Sequence, residues 1–218
     1  MAALDKRKEC IQRRSLLSNS KRLLKEKAIT NCVLPFLKGK IGTYIPIRNE
    51  VDVYSNFKEE FDLYIPKMLD DTTIAFYSDK EEKINGPFST IEPIGICEEK
   101  DLNVILVPVV GFFDTYRLGY GKGYYDRYLK DSSALKIGIA FDVQEIKFDV
   151  KPTDVKLDMI ITESRILRCK YYFMGIVILG AMMPRMLQDK RIVSHRSLNK
   201  SLVNMKSLRK AYVEGLCV

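Results

Sequence analysis

One segment of the sequence concentrates residue types that hold phosphate groups. It runs from Arg117 to Asp126, reads RLGYGKGYYD, and has glycine at every second position from 119 to 123. Glycine lets the backbone approach a ligand closely and adopt positive φ values. Arg117 and Lys122 supply positive charge for phosphate oxygens, and Asp126 supplies a hard carboxylate that suits Mg²⁺. The segment therefore predicts a site for a triphosphate group and a magnesium ion.

The glycine spacing by itself is a weak indicator of a binding site. It matches neither GxGxxG nor GxxxxGK[ST], so the dinucleotide-binding and P-loop motifs are both excluded. A tight turn that packs a helix against a sheet is the alternative interpretation. The flanking Arg117, Lys122 and Asp126 favour a binding segment, because a turn does not need them. A helical pattern follows, and backbone N–H groups at the start of a helix also favour anions.

Apolar runs that alternate with helical patterns indicate the elements that position this segment. Residues 104–110 (VILVPVV), 136–141 (KIGIAF) and 157–162 (LDMIIT) are apolar runs typical of strands that are buried on both faces. Residues 4–37 have a helical pattern that is interrupted at residues 18–20, where a serine can cap the second helix. Strands and helices therefore alternate along the chain, as in α/β proteins.

Shorter elements are expected between these long ones. We expect strands at residues 41–47, 62–67 and 73–78 and an amphipathic helix over residues 51–61. Together with the apolar runs, they predict a single three-layer, Rossmann-like α/β domain over residues 1–170. In this domain a mostly parallel central sheet is flanked by helices.

The positive charge is concentrated at the end of the chain. The net charge is +8, and residues 171–218 contribute +6 of it through eight Lys or Arg and two acidic residues. After Phe173 these residues contain a single aromatic residue, so they lack the basic and aromatic interleaving of nucleic-acid-binding segments. We expect a basic C-terminal extension of unknown role, either an added helix or a poorly ordered segment.

Composition excludes several other classes of protein. The longest nearly apolar stretch, Tyr171 to Met183, has 13 residues, whereas a membrane-spanning helix needs about 20. The first fifteen residues are charged and do not resemble a signal peptide. The single histidine, His195, lies near the C-terminus, so the main domain has no Ser-His-Asp site and no histidine for zinc. We expect a cytoplasmic monomer or weak dimer that binds neither membranes nor nucleic acid.

The glycine segment, extended to Leu129, resembles the signature of the 5-formyltetrahydrofolate cyclo-ligases, also called methenyltetrahydrofolate synthetases. Five further parts of the chain resemble that family in the same order. They are residues 7–18 (a basic helix), 44–52 (YIPIRNEVD), 86–93 (GPFSTIEP), 107–114 (which include VP and FFD) and 155–163 (which include VKLD and ITE). The resemblance covers roughly residues 5–168.

This resemblance implies the ATP-dependent closure of 5-formyltetrahydrofolate to 5,10-methenyltetrahydrofolate, with release of ADP and phosphate. The formyl oxygen attacks the γ-phosphate, and nitrogen 10 attacks the imidate phosphate before phosphate leaves. Such chemistry depends on phosphate positioning and charge stabilisation more than on a protein nucleophile. The alternatives are a nucleotide- or folate-binding protein of the same fold without turnover, and an enzyme that handles sugar phosphates or CoA.

The resemblance also implies roles for individual residues. Lys122 and Arg117 are the expected catalytic residues. The expected ATP contacts are Lys6, Arg7, Arg14, Arg117, Leu118, Gly119, Tyr120, Gly121, Lys122, Gly123, Tyr124 and Tyr125. The expected folate contacts are Ile45, Glu50 and Tyr125, and the expected Mg²⁺ ligands are Asp126 and Asp158.

Several of these side chains also have an ordinary structural interpretation. Arg14 fits a solvated helix face, and Glu50 fits a negative charge at the start of a helix. Asp158 fits a cap at the edge of a strand. Tyr124 and Tyr125 at helical positions also fit the core.

The N-terminal helix departs from the family pattern. The family often has a lysine three or four residues before the position of Arg7, where this chain has Leu4 and Ala3. Lys6 is the nearest replacement. A second departure is the extension, because family members usually end near the position of Cys169.

Overall fold

The structure is a computed structural model that describes residues 3–169 of the 218-residue chain. The expected extension at residues 171–218 lies outside the described residues. The α-helices are α1 (Ala3–Ser15), α2 (Asn19–Val33), α3 (Tyr54–Phe57) and α4 (Tyr124–Lys130). The strands are β1 (Ile41–Gly42), β2 (Leu63–Met68), β3 (Ile74–Ser78), β4 (Lys83–Asn85), β5 (Ile91–Pro93), β6 (Val104–Pro108), β7 (Gly111–Phe113), β8 (Tyr116–Leu118), β9 (Leu135–Ile139), β10 (Met159–Ile161) and β11 (Ile166–Arg168).

A seven-stranded sheet forms the centre of the domain, in the order β11-β10-β9-β6-β1-β2-β3. The strands from β10 to β2 pair in parallel, and β11 and β3 pair antiparallel at the two edges. Two separate hairpins, β4–β5 and β7–β8, stand outside this sheet. The mostly parallel central sheet predicted from the apolar runs is therefore confirmed.

Side chains of strand β6 alternate between two cores. Val104 and Leu106 pack in one cluster with Ile29 of helix α2. Ile105 packs in the other cluster with Leu129 of helix α4. Because the side chains of a strand point alternately to the two faces of a sheet, each face is covered by its own layer. The arrangement confirms the predicted three-layer α/β class.

The predicted break in the N-terminal helical region separates α1 from α2. Ser18 precedes α2 in an extended conformation, and its hydroxyl oxygen accepts a hydrogen bond from the N–H of Lys21 at 3.5 Å. This contact satisfies one of the N–H groups that a helix start leaves unpaired. A 3-10 turn at Leu34–Phe36 then ends the region.

Two elements are shorter than the sequence predicts. The strand expected over residues 41–47 ends at Gly42, and the helix expected over residues 51–61 is reduced to α3. Between them the backbone reverses, because Arg48 and Asn49 have positive φ values of 47° and 63°. Both expectations were wrong in length, because Tyr44, Val51 and Val53 pack in the core beside the sheet without belonging to a strand or a helix. Within residues 3–169, no helix is long and apolar enough to cross a membrane.

Candidate active site

A cleft of about 910 Å³ opens at one edge of the central sheet. Its lining includes Ile45 after strand β1, Met68 at the end of β2, and Pro108 at the end of β6. All three positions follow the carboxyl ends of parallel strands, which is where open α/β sheets bind ligands. The topology of the sheet therefore determines where the site lies.

Most of the residues predicted to bind ligands line this cleft. They are Arg7, Ile45, Glu50, Arg117, Leu118, Gly119, Tyr120, Gly121, Lys122, Gly123, Tyr124, Tyr125 and Asp126. Residues far apart in the sequence are thus brought to one surface. Lys6, Arg14 and Asp158 are not part of the lining.

The glycine segment begins in strand β8 and ends in the first turn of helix α4. Gly121 and Gly123 have φ values of 103° and 73°, which side chains disfavour. The Nε–H of Arg7 donates a hydrogen bond to the carbonyl oxygen of Gly119 at 2.7 Å, which ties helix α1 to the segment. The alternating glycines therefore shape an exposed loop that reaches across the mouth of the cleft.

Helix α4 fixes the far end of the segment. The hydroxyl of Tyr124 donates to the carbonyl oxygen of Asp70 at 3.3 Å. The Nε–H of Arg127 donates to the carbonyl oxygen of Thr72 at 2.6 Å. Both acceptors lie in the turn between β2 and β3, so this turn supports the glycine segment.

Arg117 lies beneath the segment with hydrogen-bonding capacity to spare. Its side chain is buried, and its Nη2 lies 3.1 Å from Oδ1 of Asp126 in an ion pair. Among the described residues, no acceptor has hydrogen-bond geometry with Nε or Nη2, and the hydroxyl of Tyr125 also has no partner. Burial lowers the pKa of Arg117, and Asp126 opposes that shift. A buried donor without an acceptor is costly in free energy, so the Arg117 side chain is suited to binding an anion.

Glu50 also lines the cleft, on the loop that follows strand β1, and is almost fully buried. The N–H of Ile47 donates to its Oε2 at 3.0 Å, and the hydroxyl of Tyr120 donates to its Oε1 at 2.9 Å. Burial raises the pKa of Glu50, and these hydrogen bonds oppose the shift because they favour the charged form. Each carboxylate oxygen keeps a second lone pair for a ligand.

Arg14 is fully buried, so its interpretation as a solvated helix residue is wrong. Its Nε–H donates to the carbonyl oxygen of Arg48 at 3.1 Å, and its Nη1 donates to that of Val109 at 3.2 Å. Its Nη2 donates to the hydroxyl of Tyr120 at 2.8 Å. All three nitrogens are thus engaged by the protein itself, and Arg14 lies behind Tyr120 rather than in the cleft.

Asp158 lies at the opposite edge of the sheet from the cleft. Its Oδ2 accepts a hydrogen bond from the N–H of Lys136 at 2.8 Å, near the amino end of strand β9. Of the two predicted Mg²⁺ ligands, Asp126 lines the cleft and Asp158 does not. The contact with Lys136 also fits the interpretation of Asp158 as a cap at the edge of a strand. In residues 3–169 no group of three or more His, Cys, Asp or Glu is placed to hold a metal.

Several cleft-lining side chains are not predicted by the sequence. They are Arg48, Phe88, Thr90, Glu92, Arg127, Lys130, Asp149, Lys151 and Asp154. Nζ of Lys122 lies 5.8 Å from the ring centroid of Phe88, so the β4–β5 hairpin reaches the glycine segment. The GPFSTIEP segment was a usable signal for this hairpin, whereas the charged residues of 149–154 carry no pattern that marks them.

The fold and the cleft together define an α/β protein with an anion-binding glycine segment at the carboxyl edge of a parallel sheet. Residues 6–163 match the 5-formyltetrahydrofolate cyclo-ligase family. The chain belongs to this family. The family and the ligase class predicted from the sequence are therefore confirmed.

Curated relatives carry the same name in bacteria and yeast. A 5-formyltetrahydrofolate cyclo-ligase of Mycoplasma pneumoniae is 36% identical over 171 residues, which cover 72% of this chain and 96% of the relative. A probable 5-formyltetrahydrofolate cyclo-ligase of Schizosaccharomyces pombe is 33% identical over 137 residues, which cover 51% of this chain and 66% of the relative.

Two solved structures share the fold. A 5,10-methenyltetrahydrofolate synthetase from Mycoplasma pneumoniae has a TM-score of 0.61 and 34% identity, covering 75% of this chain and 100% of that chain. The NMR structure of the Aquifex aeolicus 5,10-methenyltetrahydrofolate synthetase has a TM-score of 0.67 and 33% identity, covering 78% and 94%. Both similar structures have the α/β fold, and both are 5,10-methenyltetrahydrofolate synthetases, as the family assignment predicts.

Proposed function

We propose that this chain cyclises 5-formyltetrahydrofolate with ATP, and that both substrates occupy the one cleft. The triphosphate lies along the glycine segment, and the folate ring lies at Glu50. The observation that carries this assignment is the buried Arg117: among the described residues no acceptor has hydrogen-bond geometry with its Nε, and its Nη2 is engaged only by the ion pair with Oδ1 of Asp126 at 3.1 Å. A phosphate group provides the acceptors and the negative charge that these donors need.

In the proposed reaction the formyl oxygen attacks the γ-phosphorus of ATP, and the bond from that phosphorus to the ADP oxygen breaks. The resulting imidate phosphate is attacked at the formyl carbon by nitrogen 10. Phosphate then leaves, nitrogen 10 loses its proton, and the methenyl ring is closed. Arg117 and Lys122 place positive charge where charge develops on the phosphoryl oxygens.

Asp126 is the residue of this chain best placed to hold Mg²⁺. Its two described contacts, with Arg117 and the N–H of Val155, both involve Oδ1. Oδ2 can therefore coordinate Mg²⁺ together with phosphate oxygens, which is the usual combination of ligands for this ion. When bound, Mg²⁺ neutralises charge on the phosphates.

Glu50 recognises the folate ring through its carboxylate. The lone pairs left free on its two oxygens accept N–H groups from the edge of the aminopyrimidinone ring. Ile45 and Tyr125 line the same cleft and contact the ring system. The cytoplasmic location and the monomeric or weakly dimeric state stay predictions.

The direct test follows the near-ultraviolet absorbance of the methenyl product. Full-length protein is mixed with 5-formyltetrahydrofolate and Mg-ATP, and a reaction without ATP serves as the control. We expect an absorbance rise that requires ATP. Folded protein that binds both substrates but gives no rise would instead be the non-catalytic binding protein.

A further inference from the structure

Tyr120 connects the glycine segment to the carboxylate at the other end of the cleft. Its hydroxyl donates to Oε1 of Glu50 at 2.9 Å and accepts from Nη2 of Arg14 at 2.8 Å. The guanidinium carbon of Arg48 lies 5.3 Å from the ring centroid of Tyr120. The Tyr120 hydroxyl thus links the buried Arg14 to the buried Glu50, and the guanidinium of Arg48 packs against the Tyr120 ring.

The turn that presents Glu50 is held from two helices. Arg48 and Asn49 both have positive φ, a conformation that non-glycine residues seldom adopt. The Nε–H of Arg14 in α1 donates to the carbonyl oxygen of Arg48 at 3.1 Å. The Nη1 of Arg22 in α2 donates to the carbonyl oxygen of Asn49 at 2.8 Å. Buried or partly buried arginines therefore stabilise a backbone conformation that would otherwise be unfavourable.

We propose that Tyr120, anchored by Arg14, is a positioning residue that holds Glu50 in its ligand-binding orientation and in its ionised form. This inference rests on the proposed role of Glu50 in binding the folate ring. Arg14 acts through Tyr120 and through the Arg48 carbonyl, so its contribution to the reaction is made on the folate side of the cleft. It does not require contact with the nucleotide.

The charge on Glu50 depends on a small set of neighbours. The titratable and charged groups that interact with it are Arg14, Arg48, Tyr44, Tyr120 and Tyr125. Burial raises the pKa of Glu50, while Arg14 and the Tyr120 hydroxyl lower it. Burial also raises the pKa of Tyr120 to about 12, so its hydroxyl remains a donor at neutral pH.

Binding of the folate should depend on pH through the ionisation of Glu50. Recognition of the folate N–H groups requires ionised Glu50, so binding weakens as the pH falls through its pKa. Removing the Tyr120 hydroxyl removes a hydrogen bond that favours the charged form, which raises that pKa further. The acid limb of kcat/KM for the folate should therefore move to higher pH.

The test compares Tyr120→Phe with Tyr116→Phe in the full chain. Tyr116 lies on the preceding strand β8, outside the cleft lining, and Nζ of Lys156 lies 5.3 Å from the centroid of its ring. For Tyr120→Phe we expect KM for the folate to rise about tenfold, which is the size expected for a hydrogen bond to a charged group. KM for ATP should stay within about twofold, and Tyr116→Phe should match the unchanged protein.

Arg14→Lys provides a second variant with the same expected direction. It keeps the positive charge but loses the three-way contact of the guanidinium, so the acid limb should again move to higher pH. Thermal unfolding shows whether each variant is folded. If Arg14→Lys does not fold, Tyr120→Phe alone decides the question.

The inference is overturned if folded Tyr120→Phe keeps the folate KM and the acid limb of the unchanged protein. It is also overturned if only KM for ATP rises. Absence of ATP-dependent cyclisation in the unchanged protein would instead overturn the proposed function. In that case calorimetric binding of 5-formyltetrahydrofolate as a function of pH, with and without the Tyr120 hydroxyl, tests the positioning role by itself.

Discussion

The two ends of the cleft, one at Arg117 and one at Glu50, differ in how their hydrogen-bonding groups are satisfied. At the glycine segment, the Nε–H of buried Arg117 has no acceptor among the described residues, and its Nη2 is engaged only by the ion pair with Asp126. At the other end, each oxygen of Glu50 already accepts one hydrogen bond from the protein. The ligand therefore supplies the missing acceptor at Arg117, whereas the protein itself orients the Glu50 carboxylate before a ligand binds.

The chemistry of the two proposed ligands accounts for this difference. A phosphate group brings negative charge and several acceptor oxygens, so it removes the cost of burying unpaired donors. A folate ring brings neutral N–H donors, which need an acceptor that is already charged and correctly oriented. Tyr120 belongs to the glycine segment in sequence and to the Glu50 network in contacts, so it joins the two ends.

The largest expected effect comes from removing the guanidinium at the phosphate end. Arg117→Ala should lower kcat/KM for ATP by about 10²–10³-fold, because a positioned donor to developing charge is lost. Steady-state kinetics at fixed folate measures the effect. Arg165→Ala, which removes an exposed arginine paired with Glu145, is the control and should change little. Similar losses in both variants would contradict the assignment.

The folate end should be disrupted separately by Glu50→Gln. Loss of the charge should raise KM for 5-formyltetrahydrofolate by roughly 10–100-fold, because hydrogen bonds to charged groups are the stronger ones. Glu26→Gln is a matched control, since Glu26 is similarly buried but accepts its hydrogen bond from the N–H of Asp52, outside the cleft. If Glu50→Gln raised KM equally for the folate and for ATP, the two ends of the cleft would not bind different substrates.

Asp126→Asn should produce a smaller effect that depends on magnesium. We expect activity to fall roughly tenfold at low Mg²⁺ and to recover partly as Mg²⁺ rises, because one carboxylate shares the ion with phosphate oxygens. Asp114→Asn removes an exposed carboxylate paired with Lys156 and serves as the control. An Mg²⁺ dependence equal to that of the unchanged protein would refute a role for Asp126 in holding the ion.

Of the four substitutions in the cleft, Lys122→Ala should have the smallest effect on the kinetics. The Lys122 side chain is exposed, so we expect KM for ATP to rise about two- to fivefold, as for a solvent-screened charge. The increase should shrink at high ionic strength, which titration of KM against salt measures. A loss as large as that of Arg117→Ala would show that Lys122 is desolvated when ATP binds.

The sequence predicts the parts of the fold that have strong periodic signals. Strands β6, β9 and β10 are apolar runs, and Ser18 marks the start of α2. The three-residue strands of the β4–β5 and β7–β8 hairpins escape prediction, because such short strands show no alternation. The strand expected over residues 41–47 was too long, since hydrophobicity alone does not show that pairing with the neighbouring strands ends at Gly42.

The glycine segment was predictable from its own residues, whereas the distant cleft residues Arg7, Ile45 and Glu50 were predictable only through the resemblance to the family. The glycine segment combines its chemical groups within ten residues. The Arg14–Tyr120–Glu50 chain joins residues 106 and 70 positions apart, so no local pattern encodes it. Asp158 matches the family motif in sequence, but it is not part of the cleft lining, so its role as an Mg²⁺ ligand stays a prediction.

One calorimetric experiment tests the central claim that the two ends bind different substrates. Arg117→Ala and Glu50→Gln are each titrated with a non-hydrolysable ATP analogue plus Mg²⁺ and, separately, with 5-formyltetrahydrofolate. We predict that Arg117→Ala weakens binding of the analogue by at least about tenfold and leaves folate binding nearly unchanged, with the reverse for Glu50→Gln. If either variant weakens both ligands equally, or if the pattern is reversed, the division of the cleft is wrong.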